Sequence, residues 1–168
     1  SNSGAILNLP KSYFNTVRVG MLLYCVAPSS EVKVNQSYLP VMSFCGPVIN
    51  VRKVPANTPI SYGGKYLTYK ETYIGVIQTG FADGFPRPWY EHGFVSYRGN
   101  NYKIAGRVCM DQLMIDFGNM KPNIGEEVLF FGERGEDKIK IEDIANKIFT
   151  TTYVLLVGIQ GRTERINI

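Results

Sequence analysis

The sequence is poor in the residues on which much hydrolytic and metal chemistry depends. It has one histidine, His92, and three cysteines, Cys25, Cys45 and Cys109, in 168 residues. One imidazole cannot build a His-rich metal site. His92 follows Trp89, Tyr90 and Glu91 and reads as a loop residue, and no other histidine is present to complete a Ser-His or Cys-His nucleophile pair. Three widely spaced cysteines fit neither a disulfide framework nor a metal knuckle, which points to a reducing, cytoplasmic setting. No apolar run approaches the roughly 18 to 20 residues of a membrane span, and the start lacks a basic stretch followed by an apolar one, so a soluble chain is expected. Charge is sparse as well, at 19% of residues, with a net +4. The cations are scattered as singles (Lys33, Arg52, Lys65, Arg98, Lys121), and the densest stretch, 133–142, mixes acids with bases. The excess therefore reads as general surface charge, not as a nucleic-acid or membrane footprint. What is present is ordinary globular composition, 45% hydrophobic, in a length near one to one and a half domains.

The texture of the chain changes near Val41. Before it, Leu9, Tyr13, Phe14 and Val17 recur at helical spacing behind Pro10, which predicts a short helix over 8–17 ended by Gly20; Met21 to Val26 reads as a buried strand. Residues 27–40 are rich in Pro, Ser and charge and read as a loop or domain junction. After Val41, β-branched and aromatic runs recur at 41–54, 72–79, 93–98, 101–105, 112–117, 126–131 and 152–159. Turn residues separate them, as in Arg98-Gly99-Asn100-Asn101. One helix is expected at 141–148, where Ile141, Ile144, Ala145 and Ile148 share a face. The expected fold is mainly β, an antiparallel β domain carrying one short helix.

Three local features could carry chemistry, and each has a plainer reading. Ser3 with Arg18-Val19-Gly20-Met21 offers a hydroxyl, backbone amides and a guanidinium that suit a phosphate or a ring nitrogen, or else an ordinary loop with a surface arginine. Ser61-Tyr62-Gly63-Gly64 is either a turn with its ring on the core or a general acid or base; a phenol titrates near ~10 when unperturbed, so base work near neutral pH asks for a cationic neighbour. Gly80-Phe81-Ala82-Asp83-Gly84 reads as turn chemistry. In Gly106-Arg107-Val108-Cys109-Met110-Asp111-Gln112, Arg107 and Asp111 read as a strand end with a salt bridge, or as part of a site. Without a histidine partner Cys109 is expected to be a small buried thiol.

Taken together and in this order, these segments resemble the C-terminal part of alanine racemase, a pyridoxal-phosphate enzyme. Asn2-Ser3-Gly4-Ala5 is similar to the family's Asn-Ser-Ala, Val17-Arg18-Val19-Gly20-Met21 to its Val-Arg-x-Gly-Ile, and Ser61-Tyr62-Gly63 to its Ser-Tyr-Gly. The Gly80 to Gly84 run, followed by Arg87, resembles Gly-Tyr-Ala-Asp-Gly with a downstream Arg, and the Gly106 to Gln112 run is close to identical to the family's most distinctive string.

The resemblance implies that residues 1–40 are the tail and junction of a cofactor-binding (β/α)8 barrel, its last helix and strand region, and that 41–168 form the barrel-like C-terminal β domain. It implies interconversion of L- and D-alanine through a pyridoxal 5'-phosphate aldimine, supplying D-alanine for peptidoglycan in bacteria, by a homodimer that shares its active sites. Ser3, Gly20 and Met21 would hold the cofactor phosphate and Arg18 would face the pyridine nitrogen, keeping the ring a modest electron sink. Racemisation needs a base on each face of the substrate carbon: a lysine, expected outside these 168 residues, and Tyr62, reaching across the dimer. Met110 would meet the substrate carboxylate, while Phe81, Arg87, Arg107, Asp111 and Ile159 would line the entrance. Without the lysine this polypeptide alone is expected to be inactive and to retain little cofactor.

Two positions depart from the family pattern. Phe81 stands where the family has a tyrosine at the entry, and Gly161 where it has a tyrosine reaching the phosphate and narrowing the inner site. The passage should then be larger and less polar, which opens the alternative of a broader amino-acid racemase. A non-catalytic module kept for dimer contacts is the third reading.

Overall fold

The computed structural model describes residues 1–28, 32 and 39–167, so most of the expected 27–40 junction lies outside the described residues. Among the described residues nine strands carry the fold: β1 (Phe44–Val54), β2 (Pro59–Ile60), β3 (Tyr66–Leu67), β4 (Thr72–Ile77), β5 (Phe94–Tyr97), β6 (Asn100–Ile104), β7 (Leu113–Asp116), β8 (Glu127–Arg134) and β9 (Asp137–Ile139). Seven form one antiparallel sheet in the order β1-β4-β7-β6-β5-β8-β9, and β1 also pairs with β8. That last pairing closes six strands into a barrel, with β9 appended to β8. The closure rests on the length of β1. Its first residues, Phe44 to Pro47, pair with β8, and its later ones, Val48 to Val54, pair with β4. Pro47, which has no N–H to give a ladder, sits near the change of partner, where the strand is irregular.

Alternating side chains fill the interior. Val48, Ile77, Val95, Leu113, Ile115 and Val128 are fully buried, joined by Trp89, Tyr97, Phe117 and Phe130. Each large apolar side chain buried this way contributes roughly 1.5–3 kcal/mol. Two glycines let the aromatic rings approach the backbone: a Cβ on Gly75 would lie 2.5 Å from the Phe117 ring, and one on Gly46 would lie 3.0 Å from Phe130. The β5–β6 hairpin turns through Arg98 and Gly99, both at positive φ, which is the tight turn the sequence predicts.

The six longer strands from β1 to β8 fall where the sequence places them, and α2 (Ile141–Lys147) matches the predicted helix. The short pair β2–β3 and strand β9 carry no such signal; two or three residues leave no alternation to read. Three expectations are corrected. Residues 152–159 form a helix, α3 (Thr152–Gly158), not a strand, so the domain carries two helices and not one. Its Thr152, Leu155, Leu156 and Ile159 are buried at i, i+3, i+4 and i+7, and that packing overrides the strand preference of a run rich in Thr, Tyr and Val. The helix expected over 8–17 is replaced by α1 (Ser3–Asn8) and a 3-10 turn at Pro10–Ser12. Asn2 caps α1 by accepting from the Ala5 amide at 3.0 Å, and the chain leaves the helix at Leu9, before Pro10. Phe14 sits at φ 46° and is 90% exposed, so the supposed apolar face has nothing to pack on among the described residues. Met21–Tyr24 is a 3-10 turn, not a buried strand; Leu23 is exposed, Val26 is buried in the core and Met21 packs half-buried against it. Ala27 ties this segment to the helices, donating to Glu142 at 3.3 Å and accepting from Thr152 Oγ1 at 3.5 Å.

Candidate active site

Three loops that are distant in sequence meet at one end of the barrel. Ser61 opens the first, at φ 63°, and its hydroxyl donates to the Arg107 carbonyl at 2.7 Å. Gly106 makes that meeting possible: it adopts φ 86°, and a Cβ there would lie 2.8 Å from the Ile60 carbonyl oxygen. The second loop is stitched to the third by backbone bonds, with Phe81 N–H donating to the Cys109 carbonyl and Ala82 N–H to the Met110 carbonyl, both at 3.0 Å. Asp83 closes its own turn by accepting from the Gly80 amide at 2.8 Å, ahead of Gly84 at φ 92°. The strings Ser61-Tyr62-Gly63, Gly80 to Gly84 and Gly106 to Gln112 are therefore one assembly.

Tyr62 stands out from this assembly. It lies in a one-turn 3-10 segment, Tyr62–Gly64, and is 70% exposed, with no hydrogen bond to its hydroxyl among the described residues. Its neighbour Tyr66 is engaged elsewhere. The Tyr66 hydroxyl donates to Asp116 at 2.6 Å, and burial followed by that carboxylate pushes its phenol well above the usual range. Tyr62, unlike Tyr66, leaves its phenol exposed and without a partner among the described residues. Met110 is exposed on the third loop, and Cys109 Sγ, half-buried, lies 3.9 Å from Ser61 Oγ.

The charged residues are arranged differently from the sequence expectation. Asp111 does not pair with Arg107; its partner is Arg162, at 2.6 Å. The same guanidinium bonds Asp83, with Nε at 2.7 Å and Nη2 at 3.3 Å, and the two carboxylates, Asp83 first, hold it more firmly protonated than an ordinary arginine. Arg107 instead lies with Arg87, Pro88, Tyr90 and Glu91 around an open cleft. The Arg87 guanidinium sits over the Phe81 ring at 5.5 Å from its centre. Ile159 is buried in the core and offers its carbonyl to Arg165 at 3.0 Å, while Gly161 is exposed at φ 68° with open space around its Cβ position. Sequence reasoning misses Arg162, since a lone arginine after a glycine carries no periodic or motif signal.

Ser3 and Gly20 form a second cluster. The Ser3 hydroxyl is nearly buried and accepts from the Gly20 amide at 3.0 Å and the Leu22 amide at 3.3 Å. The Met21 amide between them has no protein acceptor among the described residues. Arg18 is held through its backbone, N–H to the Ser1 carbonyl at 2.7 Å, and its side chain makes no ion pair among the described residues.

A closed antiparallel barrel with an exposed tyrosine and three cross-bonded loops at one end defines the class: an antiparallel β-barrel domain. Comparison with known proteins makes this specific. The family described as alanine racemase, C-terminal domain, matches residues 41–167. The alanine racemase of Halothermothrix orenii is 39% identical over 166 residues, covering 98% of this chain and 44% of that protein, and the one of Methanococcus maripaludis is 40% identical over 168 residues, covering 99% and 45%. The solved alanine racemase of Streptomyces coelicolor superimposes with a TM-score of 0.92 at 35% identity, over 99% of this chain and 44% of that one. The chain belongs to the alanine racemase family. It spans less than half the length of these relatives. No helix among the described residues is long and apolar enough to cross a membrane.

Proposed function

We propose that this chain is the C-terminal part of a pyridoxal-phosphate alanine racemase that interconverts L- and D-alanine in the cytoplasm, supplying D-alanine for peptidoglycan. In this reading residues 1–40 are the tail of the cofactor barrel, and the site is shared across a homodimer. The observation that carries the proposal is the convergence of the three loops behind an exposed Tyr62 whose hydroxyl is not used by the fold. Nothing in the folding of the barrel requires that exposure, and proton exchange with a substrate does.

The Ser3–Gly20 cluster fits a phosphate in kind: one nearly buried hydroxyl, the Gly20 amide beside it and an unclaimed Met21 amide lie together. Ser3, Gly20 and Met21 would hold the cofactor there, with Arg18 toward its ring nitrogen as a donor that keeps its proton. When bound, the cofactor withdraws electrons and acidifies the substrate α-hydrogen. Tyr62 holds or delivers the proton on one face of the substrate carbon in the partner's site, a lysine outside these residues serving the other. The Met110 amide binds the substrate carboxylate, and Phe81, Arg87, Arg107 and Asp111 set the approach. Arg107 also brings positive charge to the tyrosine loop, its Nη1 lying 3.6 Å from the Cβ position of Gly63. These 168 residues alone are inactive on this reading, because the second base is not among them.

Exchange of the alanine α-proton in heavy water by the full-length protein is the test. Tyr62→Phe should slow it by at least about 100-fold, the range for losing a general base. Cofactor binding without exchange in the parent would sink the proposal. The open space at Gly161 and the missing hydroxyl at Phe81 favour a second reading, a broader amino-acid racemase. A preference for alanine over serine in kcat/KM steeper than about 100-fold would count against it.

A further inference from the structure

We infer that Arg162 is a positioning residue for the racemase reaction, a clamp that fixes the Met110–Asp111 peptide against the Phe81 loop; this rests on the racemase reading above. Its guanidinium bridges two loops, taking Asp83 with two nitrogens and Asp111 with one. The bridge crosses the same seam as the Phe81–Cys109 and Ala82–Met110 backbone bonds, so it braces the peptide that would meet the substrate carboxylate. Its own anchorage is firm. Thr163 next to it donates to the Asp83 carbonyl at 3.1 Å, and Gly84 passes so close that a Cβ would lie 2.4 Å from the Gly158 carbonyl oxygen. Gly161, at φ 68°, is the turn that brings Arg162 back over both carboxylates. Lysine replaces it only in part, because one ammonium carries the charge but lacks the planar fork that serves two carboxylates together. Arg162 itself is half exposed and outside the packed core, so its removal tests loop placement with little effect on folding.

The test compares the full-length, cofactor-loaded enzyme with Arg162→Gln and Arg162→Lys. R162Q should raise KM for alanine about tenfold in both directions with kcat within about threefold, since the carboxylate binding it weakens acts alike on ground and transition states. R162K should fall between R162Q and the parent, and added guanidinium should lower the KM of R162Q. Independently of activity, the Phe81 and Ala82 amides should exchange with heavy water about tenfold faster in R162Q. A KM within twofold of the parent, or unchanged amide exchange, overturns the inference. So does a parallel fall of unfolding temperature, cofactor content and kcat without faster exchange, which would make Arg162 a merely structural contact. If the parent fails to exchange the alanine α-proton, the racemase reading falls, and the amide exchange still decides whether the clamp exists.

Discussion

Gly80→Ala should act as a wedge between the two loops that place Met110. The backbone at Gly80 is extended, φ −143° and ψ −166°, so alanine suffers no conformational penalty there. Space is the whole issue: a Cβ would lie 2.2 Å from the Met110 carbonyl oxygen and 2.4 Å from that of Cys109. Backbone cannot swing aside as a flexible side chain can, so the 109–110 segment must retreat by about 1 Å to reach van der Waals distance. Retreat stretches the two 3.0 Å hydrogen bonds donated by Phe81 and Ala82 to those same carbonyls. Overpacking of this kind costs about 1–3 kcal/mol and each weakened bond about 1, so the total is at least about 3 kcal/mol. At this chain length that lowers Tm by roughly 6–12 °C. Thermal unfolding of the chain measures it, with Gly118→Ala as the control: Gly118 has open space and φ 63°, so the control reports strain alone, about 1 kcal/mol. In the full-length enzyme the displaced Met110 amide should raise KM for alanine. A Tm within about 2 °C of the parent would refute the reasoning, because it would mean the 109–110 backbone yields freely.

Gly161→Tyr, which restores the family's usual residue, should cost about 1–2 kcal/mol from the positive φ and should steepen the preference for alanine over serine in kcat/KM; an unchanged ratio would mean that position 161 does not border the passage. Glu126 accepts from the Tyr97 hydroxyl, Asn123 and Arg98, which together, Tyr97 first, pull its carboxyl from the usual 4.5 to about 2. A depressed pKa gives stability that is complete above the unfolded value and lost as pH falls toward the folded one. Tyr97→Phe should therefore bring the loss of stability to higher pH, within the window from about 4.5 down to about 2, and carboxyl NMR titration should show Glu126 rising. Equal acid sensitivity of parent and variant would show that Tyr97 does not hold Glu126.

The sequence shows most clearly what repeats with a short period. β1, β4, β5, β6, β7 and β8 alternate or run apolar between glycines and charges, and each is readable. The closure of the sheet is legible only in kind, since the double pairing of β1 depends on a partner strand far along the chain. The clustering of Tyr62, Phe81 and Met110 cannot come from periodicity; ordered motif strings carry it. Spacing assigns Asp111 the nearer Arg107 as partner, whereas the fold brings Arg162 across from the far end of the chain. The apolar residues of 8–17 suggest a packed helix face, but their periodicity cannot say whether a surface exists to receive it.

The most consequential difference between pattern and fold is α3, because that helix links the two candidate clusters. At its start Thr152 bonds the Ala27 carbonyl, and Leu156 borders a cavity with Tyr24 and Val26, on the segment that follows the Ser3–Gly20 cluster. At its end Gly158 packs on Gly84, and just past it Arg162 grips Asp83 and Asp111. Seven residues as a strand would span about 23 Å, and as a helix about 10 Å. The helical state thus brings the segment that follows the Ser3–Gly20 cluster and the Asp83 and Asp111 loops onto one short rigid element. A strand-forming composition held in a helix by three buried side chains, with Ile159 buried just past its end, is a marginal choice locally, decided by packing. Substitutions that weaken that packing, such as Leu156→Ala at a cost of about 2–5 kcal/mol, should speed amide exchange at both ends together, around Val26 and around Asp83. Faster exchange at one end only would show that α3 does not couple them.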